Sequence, residues 1–253
     1  MLDTAVIPCG GLGTRLQPIT RWLPKELLPV GLRPVLYWAL DEIAGAGLLR
    51  AIVVTSPLKP ALEAAARTYP GPLELEFVAQ QRPRGLWDAF LQARDLLAEA
   101  PFAAVLPEFL FRGSNPTASV IQAHSIDGHA TALIGAGASN GGGPLRTAGW
   151  PVTVRESAGG LQVTDVARDS VPPTTDRAAA TLLGRYLFPG DVLTELETVA
   201  RDVAPGDEVD GLRVLRSRAE RGELSGVRTD AACYEVGLPE GYRSAVADFP
   251  ARA

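Results

Sequence analysis

The sequence predicts an α/β fold: a doubly wound, mostly parallel, Rossmann-like sheet with a small antiparallel extension. Three observations predict it. Short apolar runs at Ala5-Val6-Ile7, Ala51-Ile52-Val53-Val54-Thr55 and Phe102-Ala103-Ala104-Val105-Leu106 have the near-continuous hydrophobicity of strands buried on both faces. Segments with helical periodicity separate them, as βαβ units require. The first apolar run also passes directly into a glycine-rich turn, Gly10-Gly11-Leu12-Gly13.

Taken in order, Thr4 to Pro8 is the first strand. Arg33 to Trp38 begins a helix with Pro34 in its first turn, where a missing N–H costs nothing. Leu36, Leu40, Ile43 and Ala44 recur at helical spacing, and Gly45 and Gly47 close the helix. The second strand is Ala51–Thr55, and Pro60 to Thr68 is a short helix. Leu73 to Val78 alternates and reads as a strand with one wet face. Gly85 to Glu99 is helical, and Phe102 to Leu106 is the fourth strand. In the second half, Asn115-Pro116 opens a helix reaching about His124, and Ala130 to Ile134 is a strand. Asn140 to Pro144 belongs to a glycine-rich loop expected to be mobile. Pro151–Val154 and Gly160–Thr164 read as paired strands around Gly159-Gly160. Ala180–Phe188 is a strand, Asp191–Ala200 a helix, Glu208–Arg221 a charged, solvated helix, and Pro239–Phe249 the closing helix.

The chain has 253 residues, 46% hydrophobic and 21% charged, enough for one large core. We read it as a single domain, since no repeat or linker divides it. A net charge of −5 gives no basic field for nucleic acid, so any polyanion must be met by local cations. Two cysteines, Cys9 and Cys233, make no disulfide framework. No apolar run reaches membrane-spanning length, and no basic-plus-apolar segment precedes the first strand; the expectation is a cytoplasmic protein. His124 and His129 have no zinc-site spacing.

The stretch from Ala5 to Val30 carries the chemistry. Glycines without Cβ atoms let backbone N–H groups approach a phosphate. Arg15 adds a guanidinium fork, and Pro24-Lys25-Glu26-Leu27-Leu28-Pro29 returns an ammonium on backbone stiffened by prolines. The dinucleotide fingerprint is absent, because Leu16 stands where its third glycine belongs, and the Gly-Lys-Ser/Thr ending of a P-loop is missing too. No acidic residue follows the second strand at a ribose position, since Thr55 leads into Ser56-Pro57, and a nicotinamide-dependent dehydrogenase is excluded.

The whole string Gly-Gly-x-Gly-Thr-Arg-Leu-x-Pro-x-Thr-Arg-x-x-Pro-Lys-Glu-Leu-Leu-Pro-Val, residues 10–30, resembles the nucleotide-binding signature of the sugar-1-phosphate nucleotidyltransferases. Pro24-Lys25-Glu26 is most similar to the uridylylating branch, and the thymidylylating branch is next. The resemblance spans nearly the whole chain. It implies a nucleotide-binding half over about residues 1–112 and a sugar and metal half over about 113–253. Gly10, Gly11, Gly13 and Thr14 would cradle the triphosphate, with Arg15 and Lys25 as catalytic cations. Gln80 and Gly85 match the base-reading segment, where a glutamine amide can donate to and accept from a uracil edge. Trp87 stands where the family has a small residue, and we expect it to pack rather than bind.

The metal positions depart from the family. Glu108, after Val105-Leu106-Pro107, and Glu235, in Cys233-Tyr234-Glu235-Val236-Gly237, stand where the family places aspartates on Mg²⁺. Both side chains are longer by a methylene, which keeps the charge but shifts the donors. Arg168 replaces the lysine expected on the sugar phosphate, and Ala167 replaces a glutamate that contacts sugar hydroxyls. Gly149 in Ala148-Gly149-Trp150 matches the sugar-side glycine. The implied activity is nucleotidyl transfer from UTP, or another nucleoside triphosphate, to a sugar 1-phosphate such as glucose 1-phosphate, with Mg²⁺ or Mn²⁺. A binding protein for nucleotide or sugar nucleotide without turnover is the alternative, motivated by the four departures. Thymidylyl transfer is a lesser one, and a homo-oligomer stays open.

Overall fold

The computed structural model describes residues 2–124, 128–136, 149–157, 160–167, 180–204 and 206–249. The strands are β1 (Thr4–Pro8), β2 (Pro29–Val30), β3 (Arg33–Pro34), β4 (Arg50–Thr55), β5 (Glu74–Ala79), β6 (Phe102–Val105) and β7 (Phe109–Arg112). They continue with β8 (Ala130–Ala136), β9 (Pro151–Ser157), β10 (Gly160–Val166), β11 (Ala180–Phe188), β12 (Leu224–Arg228) and β13 (Ala232–Glu235). The helices are α1 (Val35–Gly45), α2 (Pro60–Ala66), α3 (Leu86–Gln92), α4 (Arg94–Leu97), α5 (Pro116–Gln122), α6 (Val192–Arg201), α7 (Leu212–Glu220) and α8 (Pro239–Asp248).

A nine-stranded sheet runs in the order β5-β4-β1-β6-β11-β8-β12-β10-β9. β10 and β11 run against the direction of the rest, so the sheet is mostly parallel. Strands from both halves of the chain share it. The antiparallel pair β9–β10 is no free-standing extension, because β10 also bonds β12 and β9 also bonds β11.

Alternate residues of the central strands feed two cores, which makes the sheet doubly wound. Ala5, Ile7, Ala51 and Val53 pack with Leu36, Leu40, Ile43 and Leu62 of α1 and α2. Val6, Ile52 and Ala104 pack on the other face with Phe90, Leu97, Leu193 and Leu215. A third cluster joins the segment after the glycine turn to β7, β13 and α8 through Leu28, Val30, Leu110, Tyr234 and Phe249. β1 bonds β4 on one side and β6 on the other, so the direction of winding reverses between β1 and β6. In open α/β sheets such a switch point opens a crevice at the carboxyl ends of its strands.

Several boundaries differ from expectation. Arg33-Pro34 is extended and pairs with Pro29-Val30, because proline disfavours a helical residue before it; α1 starts at Val35. The helix expected over 85–99 breaks at Ala93, and left-handed Ala98 (φ 46°) ends it. The stretch 208–211 is non-helical and tied down by Val209 N–H donating to the Arg84 carbonyl at 2.9 Å. α7 is not a solvated helix: Val214, Leu215, Arg218 and Ala219 are buried. β7, β12 and β13 were not expected as strands. The expected loop over 140–144 and the Gly159 half of the turn lie outside the described residues.

Candidate active site

The glycine turn leaves the end of β1, and Cys9 N–H donates to the Val54 carbonyl at 2.8 Å, holding the turn against β4. Gly13 sits at φ +67°, and Thr20 donates from Oγ1 to its carbonyl at 2.8 Å, closing the turn. Glu108 follows β6, on the other side of the switch point. Its backbone is clamped: Val236 N–H donates to the Glu108 carbonyl at 2.8 Å, and Phe109 N–H to the Leu106 carbonyl at 3.2 Å.

Four of the expected charged residues meet here. Lys25 donates from Nζ to Glu108 Oε2. Arg15 Nη1 lies 3.3 Å from Glu235 Oε1. Burial drives the Lys25 ammonium pKa down, but the Glu108 and Glu26 charges outweigh it and hold the group above its ordinary value. Burial likewise pushes Glu108 up, yet Lys25, Arg15 and Lys59 hold its carboxyl below the usual glutamate range. Each carboxylate therefore has its own cation.

Two adjoining clefts open on this cluster. The first, of about 320 Å³, is lined by Gly10, Gly11, Thr14, Lys25, Gln80, Pro83, Gly85, Leu86, Ala89 and Glu108. Among the described residues its one cation, Lys25, bonds Glu108. Gln80 is buried and donates from Nε2 to the Gly85 carbonyl at 3.0 Å and to Asp88 Oδ2 at 2.8 Å. Gly85 takes φ +86° at the start of α3. The second cleft, of about 500 Å³, is lined by Arg15, Trp87, Glu108, Gly149, Trp150, Tyr186, Glu208, Asp210 and Glu235. Glu108 and Glu208 border both. Trp87 packs as expected: it meets Phe90 edge-on and Tyr186 and Phe188 at a tilt, and a Cβ on Gly211 would lie 2.2 Å from its ring. Trp150 Nε1 donates to the Ala167 carbonyl at 2.6 Å. Arg168 lies outside the described residues.

Glu108 and Glu235 both face the second cleft and offer hard oxygen donors of the kind that hold Mg²⁺ together with phosphates. The donor chemistry fits a small divalent cation. Among the described residues, no three His, Cys, Asp or Glu gather as a self-sufficient metal site, so phosphate oxygens would have to complete the shell.

Beneath the site lie residues to which the sequence assigns no role. Lys59, 6% exposed, donates to Glu26 at 2.8 Å and 3.1 Å and to the Cys9 carbonyl at 2.7 Å. Arg185, 1% exposed, forks onto Glu42 with two bonds of 2.7 Å and donates to the Leu106 and Phe109 carbonyls that flank Glu108. A buried charge needs a buried partner, but no local pattern says where that partner is.

The family model for nucleotidyl transferases matches residues 4–141, more than half of the chain. The chain belongs to the nucleotidyl transferase family. A UTP–glucose-1-phosphate uridylyltransferase of Streptococcus pyogenes is 26% identical over 97% of this chain and 89% of its own. A glucose-1-phosphate thymidylyltransferase of an Actinoplanes species is 30% identical over 87% of this chain and 68% of its own. Among solved structures, a UTP-bound UGPase from Acinetobacter baumannii superposes with a TM-score of 0.79 at 23% identity, over 98% of this chain and 93% of that one. As a nucleotidyl transferase, the chain keeps the glycine turn and its cations at the switch point of the sheet. No helix among the described residues is long and apolar enough to cross a membrane.

Proposed function

We propose that the chain transfers a uridylyl group from UTP to a sugar 1-phosphate, with glucose 1-phosphate the first candidate, and releases pyrophosphate. The observation that carries the reading is the meeting of Lys25 and Arg15 with Glu108 and Glu235 where the two clefts join. The names of relatives that act with UTP and glucose 1-phosphate support it.

In this reading the glycine-turn amides hold the triphosphate in the first cleft, Arg15 meets it from the second, and its base lies against Gln80 and Gly85. The sugar phosphate enters the second cleft past Gly149, and Arg168, by the family resemblance, neutralises its charge. Its phosphate oxygen attacks the α-phosphorus in line; the new P–O bond forms as the bond to the β-phosphate oxygen breaks, and pyrophosphate leaves. Positioning and charge neutralisation suffice, with no protein nucleophile. Lys25 turns from Glu108 to the α-phosphate and the leaving group. Glu108 and Glu235 would hold Mg²⁺, which when bound neutralises phosphate charge. Thymidylyl transfer uses the same geometry with dTTP.

The test is pyrophosphate release from UTP with glucose 1-phosphate, alongside dTTP and other sugar phosphates, in Mg²⁺ or Mn²⁺. Saturable release supports the reading, and the substrate panel names the sugar. One observation favours binding without turnover: Lys25 and Arg15 are each already matched by a carboxylate. That reading gains if UTP binds saturably and no pyrophosphate appears with any divalent ion.

A further inference from the structure

We propose that Asp88, which lines neither cleft, fixes which end of the Gln80 amide reads the base, and thereby selects uracil or thymine over cytosine. The inference rests on the placement of the base at the Gln80 end of the first cleft.

A glutamine side chain offers a donor end and an acceptor end, and rotation by half a turn exchanges them. Here the surroundings decide the orientation. Nε2 faces the Gly85 carbonyl at 3.0 Å and Asp88 Oδ2 at 2.8 Å. A carbonyl and a carboxylate only accept, so the amide nitrogen must face them. Oε1 is turned the opposite way, over Gly10, where a Cβ would stand 2.4 Å from it. Both Gln80 and Gly10 line the first cleft, so the group offered there is an acceptor. Asp88 is itself held in place. It is 5% exposed, it accepts from Gln92 Nε2 at 3.3 Å, and Arg84 Nη1 lies 3.7 Å from its other oxygen.

An acceptor at that edge suits a base with an N–H between two carbonyls, as in uracil and thymine. Cytosine presents a bare ring nitrogen there, and two lone pairs would face each other in a nearly buried place. A glutamine amide can in principle donate as well as accept; Asp88, with the Gly85 carbonyl, removes that freedom. Asp88 is thus a positioning residue that acts through Gln80.

The experiment is calorimetric titration of the folded chain with UTP and with CTP, each with Mg²⁺ and without sugar phosphate. The natural chain is expected to bind UTP roughly ten-fold or more tightly than CTP, as a mismatched hydrogen-bonding edge demands. Asp88→Asn offers a donor to Gln80, leaves the Gly85 carbonyl as the remaining acceptor for Nε2, and so weakens the preference for that orientation; the two affinities come to within about three-fold, mainly through tighter CTP binding. Asp88→Ala, which offers no donor, keeps the test decisive should the amide variant not fold; its preference falls part-way. A merely structural role would weaken both nucleotides together. A preference for UTP unchanged in the folded variants, or equal binding of both nucleotides by the natural chain, overturns the role of Asp88 and leaves the transferase reading standing. No saturable binding of either nucleotide by the natural chain overturns both.

Discussion

Lys59 and Glu26 form a buried ion pair, Nζ to Oε2 2.8 Å, and the same ammonium donates to the carbonyl of Cys9. Cys9 is where β1 gives way to the glycine turn, and Glu26 is the neighbour of Lys25. One buried cation therefore ties the glycine turn to the loop that carries Lys25. Lys59→Met would leave Glu26 buried without its partner, at a cost of roughly 3–5 kcal/mol. The double variant Glu26→Gln/Lys59→Met is expected to recover much of that stability while turnover stays low, because Lys25 has lost its anchor. Urea denaturation of the two variants checks this. A double variant as unstable as the single one would show that the unpaired carboxylate is not the cause.

Lys25 is expected to matter for rate far more than for fold. Replacing it with methionine removes a positive charge at the phosphates, and the loss of one such positioned group costs roughly 10²–10³ in kcat. Thermal unfolding of Lys25→Met and pyrophosphate release are measured together. Turnover near that of the natural chain in a folded variant would remove Lys25 from the catalytic set.

How much of this could be read from the chain alone depends on the range of each interaction. The turn from Gly10 to Lys25 was legible because its chemistry lies in one continuous string, and β1, β4 and β6 because each is buried on both faces and so almost wholly apolar. The ion pairs of Lys59 and Arg185 were not, because their carboxylate partners are 33 and 143 residues away. β12 was missed since Leu224-Ser225-Gly226-Val227-Arg228 has little strand character of its own and owes its place to parallel pairing with β8. Arg218 made α7 look solvated, but it is 1% exposed and paired with Asp191 and Glu195 of the preceding segment. The orientation of Gln80 was illegible for a similar reason: it depends on which way Asp88 points once α3 has packed.

Arg185 braces the turn that presents Glu108. It makes two bonds of 2.7 Å to Glu42 and reaches the carbonyls of Leu106 at 2.8 Å and Phe109 at 2.7 Å. Lysine keeps the charge but has three donors on a point centre, so Arg185→Lys leaves buried acceptors unpaired, costing roughly 2–4 kcal/mol. Turnover should fall further than the unfolded fraction explains, since Glu108 shifts with its turn. Denaturant curves and initial rates at a temperature where the variant is fully folded check both parts. A loss below about 1 kcal/mol would mean the brace is dispensable.

The two thiols should be silent in the native state. Cys9 and Cys233 are both fully buried. Burial, with the Glu26 charge, holds the Cys9 thiol well above its ordinary range, and burial pushes Cys233 up to about 12. Reaction with iodoacetamide needs thiolate and access, and neither exists at pH 8. Both cysteines should label together on unfolding in denaturant, and neither before it. The same shift sets a sign for stability. The folded thiol keeps its proton when the unfolded one, at 9.0, has lost it, so the contribution of Cys233 is intact below pH 9 and is lost as pH rises towards about 12. Cys233→Ser has a higher-pKa hydroxyl and should flatten that alkaline decline, which denaturation midpoints between pH 8 and about 10.5 would reveal. An alkaline slope identical in the natural chain and Cys233→Ser would assign the decline to other groups.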